Sequence, residues 1–214
     1  MFHLKSLLFV IALGGATLLH AAPEDDLIRP VQDRWAEIKY KTPEKQQAEL
    51  YRELAVQAHQ ISKNNPNLAA ALVWEAIVVS SEAGVRGGLG GLSLAKDART
   101  LLEESLKLDE KSLKGSAYTS LATLYAKVPR WPVGFGDKEK AEALFRKSLA
   151  INPDGIDPNF FYGEYLIAQD RVAEGRRYLE KALAAPPRPG RELADQGRRQ
   201  EIRALLAKTA GEAR

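Results

Sequence analysis

One pattern of residues occurs three times in this chain of 214 residues. Gapless segments begin at Ala98, Ala141 and Gly175, and each has apolar residues at its fourth and fifth positions, a small residue at the eighth and leucine at the ninth. This spacing places the apolar residues on one stripe of an α-helix, and the small residues allow a second helix to approach closely. The starts are 43 and 34 residues apart, so the sequence predicts a fold of repeated helices.

A spacing of 34 residues with two helices per unit is the period of tetratricopeptide repeats. The last unit has small, apolar and proline residues at the positions where that repeat has them, namely Gly163, Leu166, Gly175, Leu179, Ala182 and Pro187. The chain therefore resembles the tetratricopeptide (TPR) repeat superfamily. The resemblance implies an all-α, right-handed solenoid of about three helix pairs, with flanking helices and a C-terminal helix that caps the core.

The N-terminus is typical of a cleavable signal peptide. Lys5 precedes an uncharged apolar run that ends in small residues at Ala21 and Ala22, and an acidic patch follows. The run is shorter than the roughly 20 residues that a membrane-spanning helix needs. We expect a signal peptide at 1–21, a lead-in with a short helix at 22–42, a repeat domain at 43–187 and a capping helix with a tail at 188–214. The expected location is the periplasm or the exterior, which disfavours nucleic acid as a partner.

Two extra stretches interrupt the repeats at the same point, the turn between two paired helices. The first, residues 84–91, contains five glycines and is predicted to be a flexible connector, with Ser93 capping the next helix from Leu94. The second is residues 129–136. Because equivalent turns lie on one edge of a helical stack, we expect the two inserts to neighbour each other.

The second insert holds Arg130, Trp131 and Phe135 among prolines and glycines. Large aromatic side chains are costly to leave in water, which allows two interpretations. In one, the loop folds back and covers the repeat core. In the other, it forms a rigid lip that presents these three side chains to a ligand or partner.

The start of the helix after this insert carries a narrower resemblance. Residues 136–141 read Gly-Asp-Lys-Glu-Lys-Ala, which is similar to the Gly-Asp-x-x-Lys-Ala stretch of the T-component of TRAP-type solute transporters. That resemblance implies an exported accessory protein of a transporter. This chain lacks the cysteine that a lipoprotein member of the family would carry.

The first helix of each repeat lines the concave groove of a TPR stack. By that resemblance the groove-facing side chains are a mixture of apolar and lightly polar groups. Such a surface fits an apolar or mixed peptide segment, or a small apolar solute, better than a charged tail. The predicted groove residues are Thr119, Thr123, Phe160, Glu164 and Ile167.

The chain after the signal peptide offers little for catalysis. It has no cysteine and one histidine, His59, which alone cannot build a zinc site or a catalytic triad. Ser93 and Lys96 match the Ser-x-x-Lys spacing of penicillin-binding serine enzymes, but the companion motifs are absent. We therefore expect no catalytic residues, no metal and no cofactor.

These observations favour a non-catalytic, exported TPR-like protein that acts as an interaction or scaffold module in the cell envelope, with a protein or peptide partner. A first alternative is an accessory T-component-like protein of a TRAP-type transporter that binds a small apolar ligand or the transporter's solute-binding protein. A second alternative, an envelope hydrolase with a site in the two inserts, has less support in the sequence.

Overall fold

The computed structural model describes residues 23–211, and all of the regular structure in that range is helical. The predicted signal peptide at 1–21 lies outside the described residues. Nine α-helices follow one another within residues 23–211, with a 3₁₀ turn at Ser112–Lys114 between the fourth and the fifth. They are α1 (Pro23–Lys41), α2 (Glu44–Asn64), α3 (Ala69–Arg86), α4 (Gly88–Leu108), α5 (Ser116–Lys127), α6 (Lys138–Ile151), α7 (Ile156–Ile167), α8 (Val172–Ala184) and α9 (Glu192–Lys208). The predicted all-α fold is confirmed.

Consecutive helices pack as pairs, and the most extensive contacts join α3 with α4, α7 with α8, α2 with α3 and α5 with α6. Ala98, Ala141 and Gly175, the first residues of the three aligned segments, are all buried within these pairs. Helices α7 and α8 approach closely, since a Cβ atom added to Gly175 would lie 2.7 Å from the backbone oxygen of Gly163. The small residues at the segment starts therefore allow close helix packing, as the sequence pattern predicts.

The eighth position of the aligned segments does more than allow close packing. In α4 the Ser105 hydroxyl donates a 3.0 Å hydrogen bond to the carbonyl oxygen of Ala69, at the start of α3. In α6 the Ser148 hydroxyl reaches the carbonyl oxygen of Gly115, just before α5, at 3.4 Å. These bonds occur at the same place in two successive pairs and tie the second helix of each pair to the beginning of its first.

The last helix contacts the first. Helix α9 packs on α8 and α7, as a capping helix should, but it also contacts α1. The Tyr40 hydroxyl of α1 donates to a carboxylate oxygen of Glu201 at 3.3 Å, and the ring of Tyr40 lies against Gly197 so closely that a Cβ there would overlap it. The guanidinium of Arg191 lies 4.8 Å from the centre of the Trp74 ring on α3. Helix α9 thus joins the two ends of the helical array.

The glycine-rich first insert is not a flexible connector, and that prediction is wrong. Gly87 and Gly88, with φ of 61° and 57°, make a tight corner, and α4 begins at Gly88. Gly91 is helical and packs against α3, where a Cβ would meet the carbonyl oxygen of Ala83 at 2.6 Å. Ser93 consequently lies inside α4, so the prediction that it caps the helix is also wrong.

Within residues 23–211, none of the helices combines the length and the apolar character required to span a membrane.

Candidate binding site

A narrow cleft lies between α5 and α7 above the core. Its volume is about 120 Å³. Phe145, Phe161 and Tyr165 give it an aromatic lining, and the small side chains of Ala126 and Ala168 leave the space open. The complete lining is Thr123, Ala126, Lys127, Phe145, Phe161, Glu164, Tyr165, Ala168 and Gln169. Aromatic and aliphatic surface with a few polar groups is typical of a binding pocket.

An ion pair joins the two helices beside this cleft. The ammonium group of Lys127 on α5 lies 2.9 Å from a carboxylate oxygen of Glu164 on α7. Both side chains reach solvent, and exposed pairs of this kind stabilise a protein by only about 0–1 kcal/mol because water screens the charges. The pair is therefore weak enough to open when a ligand enters.

The size of the cleft limits what it holds. A cavity of about 150 Å³ accommodates one benzene ring, whereas sites for larger solutes are about 300–1,000 Å³. At about 120 Å³ the cleft fits a single apolar side chain or a solute of a few carbon atoms. A larger ligand requires α5 and α7 to separate.

Two of the five predicted groove residues, Thr123 and Glu164, line this cleft. The other three do not. Thr119 is buried and shares a hydrogen bond with the Ser148 hydroxyl, and Phe160 is buried in the cluster between α7, α8 and α9. Ile167 packs against Gly175 of α8. Their positions exclude these three side chains from the open groove, because each is committed to a neighbouring helix.

The sequence reasoning missed most of the cleft. Phe161, Glu164, Tyr165 and Ala168 follow the i, i+3, i+4, i+7 spacing of one helical face, and that stripe was the available signal. The prediction placed Phe160 on the groove face instead of Phe161. A shift of one residue corresponds to a rotation of about 100° around the helix axis. Phe145 belongs to a second helix of a pair, where the repeat pattern predicts only core positions.

Each of the two interpretations of the second insert applies to one of its two aromatic side chains. The Phe135 ring covers the core, with its centre 5.4 Å from that of Tyr125 and the Arg99 guanidinium 4.6 Å from its own centre. Trp131 is 86% exposed and Arg130 is also exposed. The loop is therefore anchored by one aromatic residue and presents the other to solvent.

The two inserts neighbour each other, as predicted from their equivalent places in the repeat. A Cβ added to Gly134 of the second insert would lie 3.3 Å from Leu92 in the first turns of α4. The Phe135 ring also packs under Arg99 of the same helix. The inserts therefore form one continuous edge of the molecule.

A partly buried cluster of charges holds α9 in place. The carboxylate of Asp157, in the first turn of α7, accepts hydrogen bonds from Arg188 at 2.6 Å and from Arg198 at 2.9 Å. Arg188 also donates to Asp195 at 2.7 Å. Burial alone would raise the pKa of Asp157, but the two guanidinium groups outweigh it and hold that pKa well below the ordinary range. The cluster has full internal pairing and connects α7 with α9.

A wider, open cleft of about 370 Å³ runs along α9, and two of its three arginines are already engaged. Arg188 belongs to the charge cluster, and the Arg199 guanidinium donates to the carbonyl oxygens of Leu183 and Ala185 at the end of α8. We therefore regard the aromatic cleft between α5 and α7 as the candidate binding site.

His59 contacts Glu75 of α3, whereas Ser93 lies inside α4. His59 Nδ1 lies 2.8 Å from a carboxylate oxygen of Glu75, whose other oxygen accepts a hydrogen bond from the Ser62 hydroxyl. In that arrangement the carboxylate lies between the serine and the histidine, so the histidine is not placed to take the serine's proton. The trio connects α2 to α3.

Comparison with known proteins gives the chain its family. The family model of the TRAP transporter T-component (TAtT) matches residues 42–211, which comprise α2 to α9. Among curated proteins, none matches the sequence. The match favours the transporter alternative over the general scaffold hypothesis, and it agrees with the resemblance seen at residues 136–141. The chain belongs to the TRAP transporter T-component family.

Proposed function

We propose that this protein is an accessory, non-catalytic component of a TRAP-type solute transporter in the cell envelope. The observation that carries the proposal is the family match over residues 42–211, together with an aromatic cleft at the surface of the matched region. The signal-like N-terminal sequence supports export to the periplasm.

In this proposal the cleft between α5 and α7 is the contact point for the transporter's solute-binding protein. Its volume suits one apolar side chain, and a single anchoring side chain in a closely fitting pocket can supply much of the energy of a protein interface. Lys127 and Glu164 stand beside the pocket and offer one positive and one negative group to the partner. The solute then remains with its binding protein, and this chain contributes docking rather than chemistry.

A small apolar solute is the second candidate occupant. The aromatic lining formed by Phe145, Phe161 and Tyr165 favours it. Such a solute would have only a few carbon atoms unless the cleft widens.

We also propose that the helix pairs are TPR-like units. The repeated hydrogen bonds of Ser105 and Ser148 to the beginnings of α3 and α5 support an internal repeat. The buried small residues Ala98 and Ala141 support it too. In this view the two interpretations are compatible, because the scaffold interpretation concerns the fold and the transporter interpretation concerns the role.

The test is a binding measurement between the purified chain and the purified solute-binding protein of a TRAP transporter from the same organism. Ala168→Leu fills the cleft, and Ala173→Leu makes the same change at an exposed position on α8 outside it. We expect Ala168→Leu to weaken binding at least about tenfold and Ala173→Leu to leave it unchanged. Equal affinities for the two variants would contradict docking through the cleft, and absence of binding by the unchanged protein would contradict the proposed function.

Native mass spectrometry of the purified protein separates the two occupants. A bound small molecule that disappears in Ala168→Leu identifies a solute pocket. A clean apoprotein that still binds the solute-binding protein identifies a docking pocket.

A further inference from the structure

One half-buried arginine, Arg191, has no oxygen partner among the residues that the structure describes. It stands at the beginning of α9, and its guanidinium lies 4.8 Å from the centre of the Trp74 ring on α3. A guanidinium carries five N–H donors, and an aromatic ring offers them no oxygen acceptor. Arg191 is therefore a partly desolvated cation whose hydrogen-bond donors stay open to a ligand.

The neighbouring arginines of the charge cluster are in the opposite situation. Burial lowers the pKa of Arg188 and of Arg198, but nearby carboxylates, Asp157 above all, outweigh this effect and raise it. Burial also lowers the pKa of Arg191, and there the positive charge of Arg188 lowers it further. The charged form of Arg191 thus lacks the stabilisation that an adjacent anion gives the other two.

The carboxylates around Arg191 are occupied or stand apart from it. Asp157 and Asp195 pair with other arginines, and Glu192 accepts a 3.0 Å hydrogen bond from the amide two residues before it. Asp33, on α1, is exposed and forms no ion pair with a described residue. These four carboxylates match the arginines of the region in number, namely Arg29, Arg188, Arg191 and Arg198. The site therefore attracts a ligand by direct contact with Arg191 and not by a net positive field.

The same carboxylates limit the charge of the ligand. An anion in contact with the Arg191 guanidinium gains more from that contact than it loses to carboxylates that lie farther away, because the interaction falls with distance. A second negative charge on the ligand doubles the repulsion but adds no further contact with Arg191. A singly charged anion is favoured for this reason.

A second guanidinium stands at the same turn. Arg29 of α1 lies so close to Gly190 that a Cβ there would overlap it, and Gly190 has a φ of 71°. Glycine at this position provides both the turn and the space for Arg29. Arg29 likewise pairs with no carboxylate in the described part of the chain. Helix α1 and the turn before α9 thus each contribute one arginine.

The frame around Arg191 is fixed before any ligand arrives. Its amide donates to the carbonyl oxygen of Arg188 at 3.0 Å, and its own carbonyl accepts from the amide of Asp195 at 2.8 Å. Trp74 is buried, and the ring of Trp35 packs edge-on against it with centres 6.0 Å apart. A site that is ordered in advance costs less conformational entropy when it binds.

We propose that Arg191, beside Trp74 and with Arg29 at the same turn, is a binding site for the carboxylate group of a singly charged ligand. The planar fork of a guanidinium matches a carboxylate with two parallel hydrogen bonds. The group comes either from a short organic acid in solution or from an acidic side chain of a protein partner. The site goes beyond the proposed transporter function and does not depend on it, because it lies outside the cleft between α5 and α7.

The experiment is nuclear magnetic resonance of the mature chain, following the Nε–Hε signals of arginines and the indole N–H of Trp74. The probes are acetate, sulfate and chloride at equal ionic strength. We expect acetate to shift the Arg191 and Trp74 signals with saturation, and sulfate and chloride to shift them much less. Arg191→Lys removes the Arg191 signal and so assigns it.

Variants separate a binding role of Arg191 from a purely structural one. Arg191→Gln and Arg191→Lys should each weaken acetate binding, read from Trp74, at least about tenfold. Lysine keeps a cation over Trp74 but lacks the fork, so a merely structural arginine would be replaced without effect on acetate. Arg203→Gln is the matched control, because Arg203 is an exposed arginine on α9, and acetate binding should stay unchanged.

Two results would overturn the proposal. One is an equal response of Arg191 to acetate and to chloride, which shows that the site does not recognise a carboxylate. The other is a response of Arg203 to acetate at the same concentrations as Arg191, which reduces the effect to general arginine–anion pairing.

A competition decides the source of the carboxylate once acetate binds. If a purified solute-binding protein displaces acetate from Arg191, the carboxylate belongs to that partner. If acetate stays bound in its presence, the site takes a free organic acid.

Discussion

A methyl group added where α7 and α8 cross should destabilise the protein. In Gly175→Ala the new Cβ would lie 2.7 Å from the backbone oxygen of Gly163 and 2.7 Å from Ile167. The first of these neighbours is backbone and cannot rotate away, so α7 and α8 must separate. Forcing an extra carbon into a packed core costs about 1–3 kcal/mol, and a backbone neighbour places the cost in the upper part of that range.

The same substitution carries a gain that must be subtracted. Alanine is favoured over glycine in a helix interior by about 1 kcal/mol. The expected net loss for Gly175→Ala is therefore about 1–2 kcal/mol. Gly84→Ala is the matched control, because Gly84 lies within α3 and a Cβ there would meet nothing within 4 Å. It should stabilise the protein by about 0.5–1 kcal/mol.

Urea unfolding followed by circular dichroism measures both variants against the unchanged protein. The two urea midpoints should move in opposite directions. In thermal unfolding of a chain of this size, each 1 kcal/mol corresponds to about 2–4 °C in melting temperature. If Gly175→Ala raised stability as Gly84→Ala does, the reasoning about small residues at the crossings would be wrong, and with it the structural meaning of the aligned segments.

Two further predictions concern stability. Asp157→Asn should lower the free energy of unfolding by about 1.5–3 kcal/mol in urea titrations, because it removes the carboxylate that Arg188 and Arg198 share, although Asp195 and Glu201 still pair with these arginines. In the unchanged protein the folded-state pKa of Asp157 is depressed, so the unfolded state takes up the proton first and stability should fall as the pH drops below about 4; acid titrations should show a smaller loss for Asp157→Asn. Ser105→Ala should cost about 0.5–1.5 kcal/mol in the same assay, because it removes a buried hydrogen bond between α4 and the start of α3, whereas Ser93→Ala inside α4 should be neutral or slightly stabilising. A large loss of stability for Ser93→Ala would instead support the predicted role of Ser93 as a helix cap, which its place inside α4 contradicts.

The helices and the close contacts at the starts of the three aligned segments were predictable because both depend on local periodicity. The spacing of Leu101, Leu102 and Leu106 in one segment is enough to define a buried helix face, and the small residue at Ala98 marks the crossing. The place of the two inserts along one edge followed from the same repeat. These features repeat within the chain, so each copy supports the interpretation of the others.

The glycine-rich corner was not predictable from composition. Five glycines in residues 84–91 read as a flexible connector, but Gly91 is small because α3 passes directly against it at Ala83. Glycine serves close packing there and chain reversal at Gly87 and Gly88. A single sequence does not distinguish these uses, since the neighbour that requires the small residue comes from another helix.

The charge cluster around Asp157 could not be predicted, for a related reason. Asp157 reads locally as a helix cap, but its partners Arg188 and Arg198 lie 31 and 41 residues further along the chain. The segment 188–214 was predicted only to form a capping helix with a tail. Only the return of α9 across α7 brings these opposite charges together.

The meeting of α9 with α1 gives the architecture a fixed length. An open helical array can grow by duplicating a unit, since each unit touches only its neighbours. Here an additional pair would separate the first and last helices by about 8–10 Å per inserted layer, and the contacts of Tyr40 with Gly197 and Glu201 would be lost. The number of units in this protein is thus set by the requirement that its two ends meet.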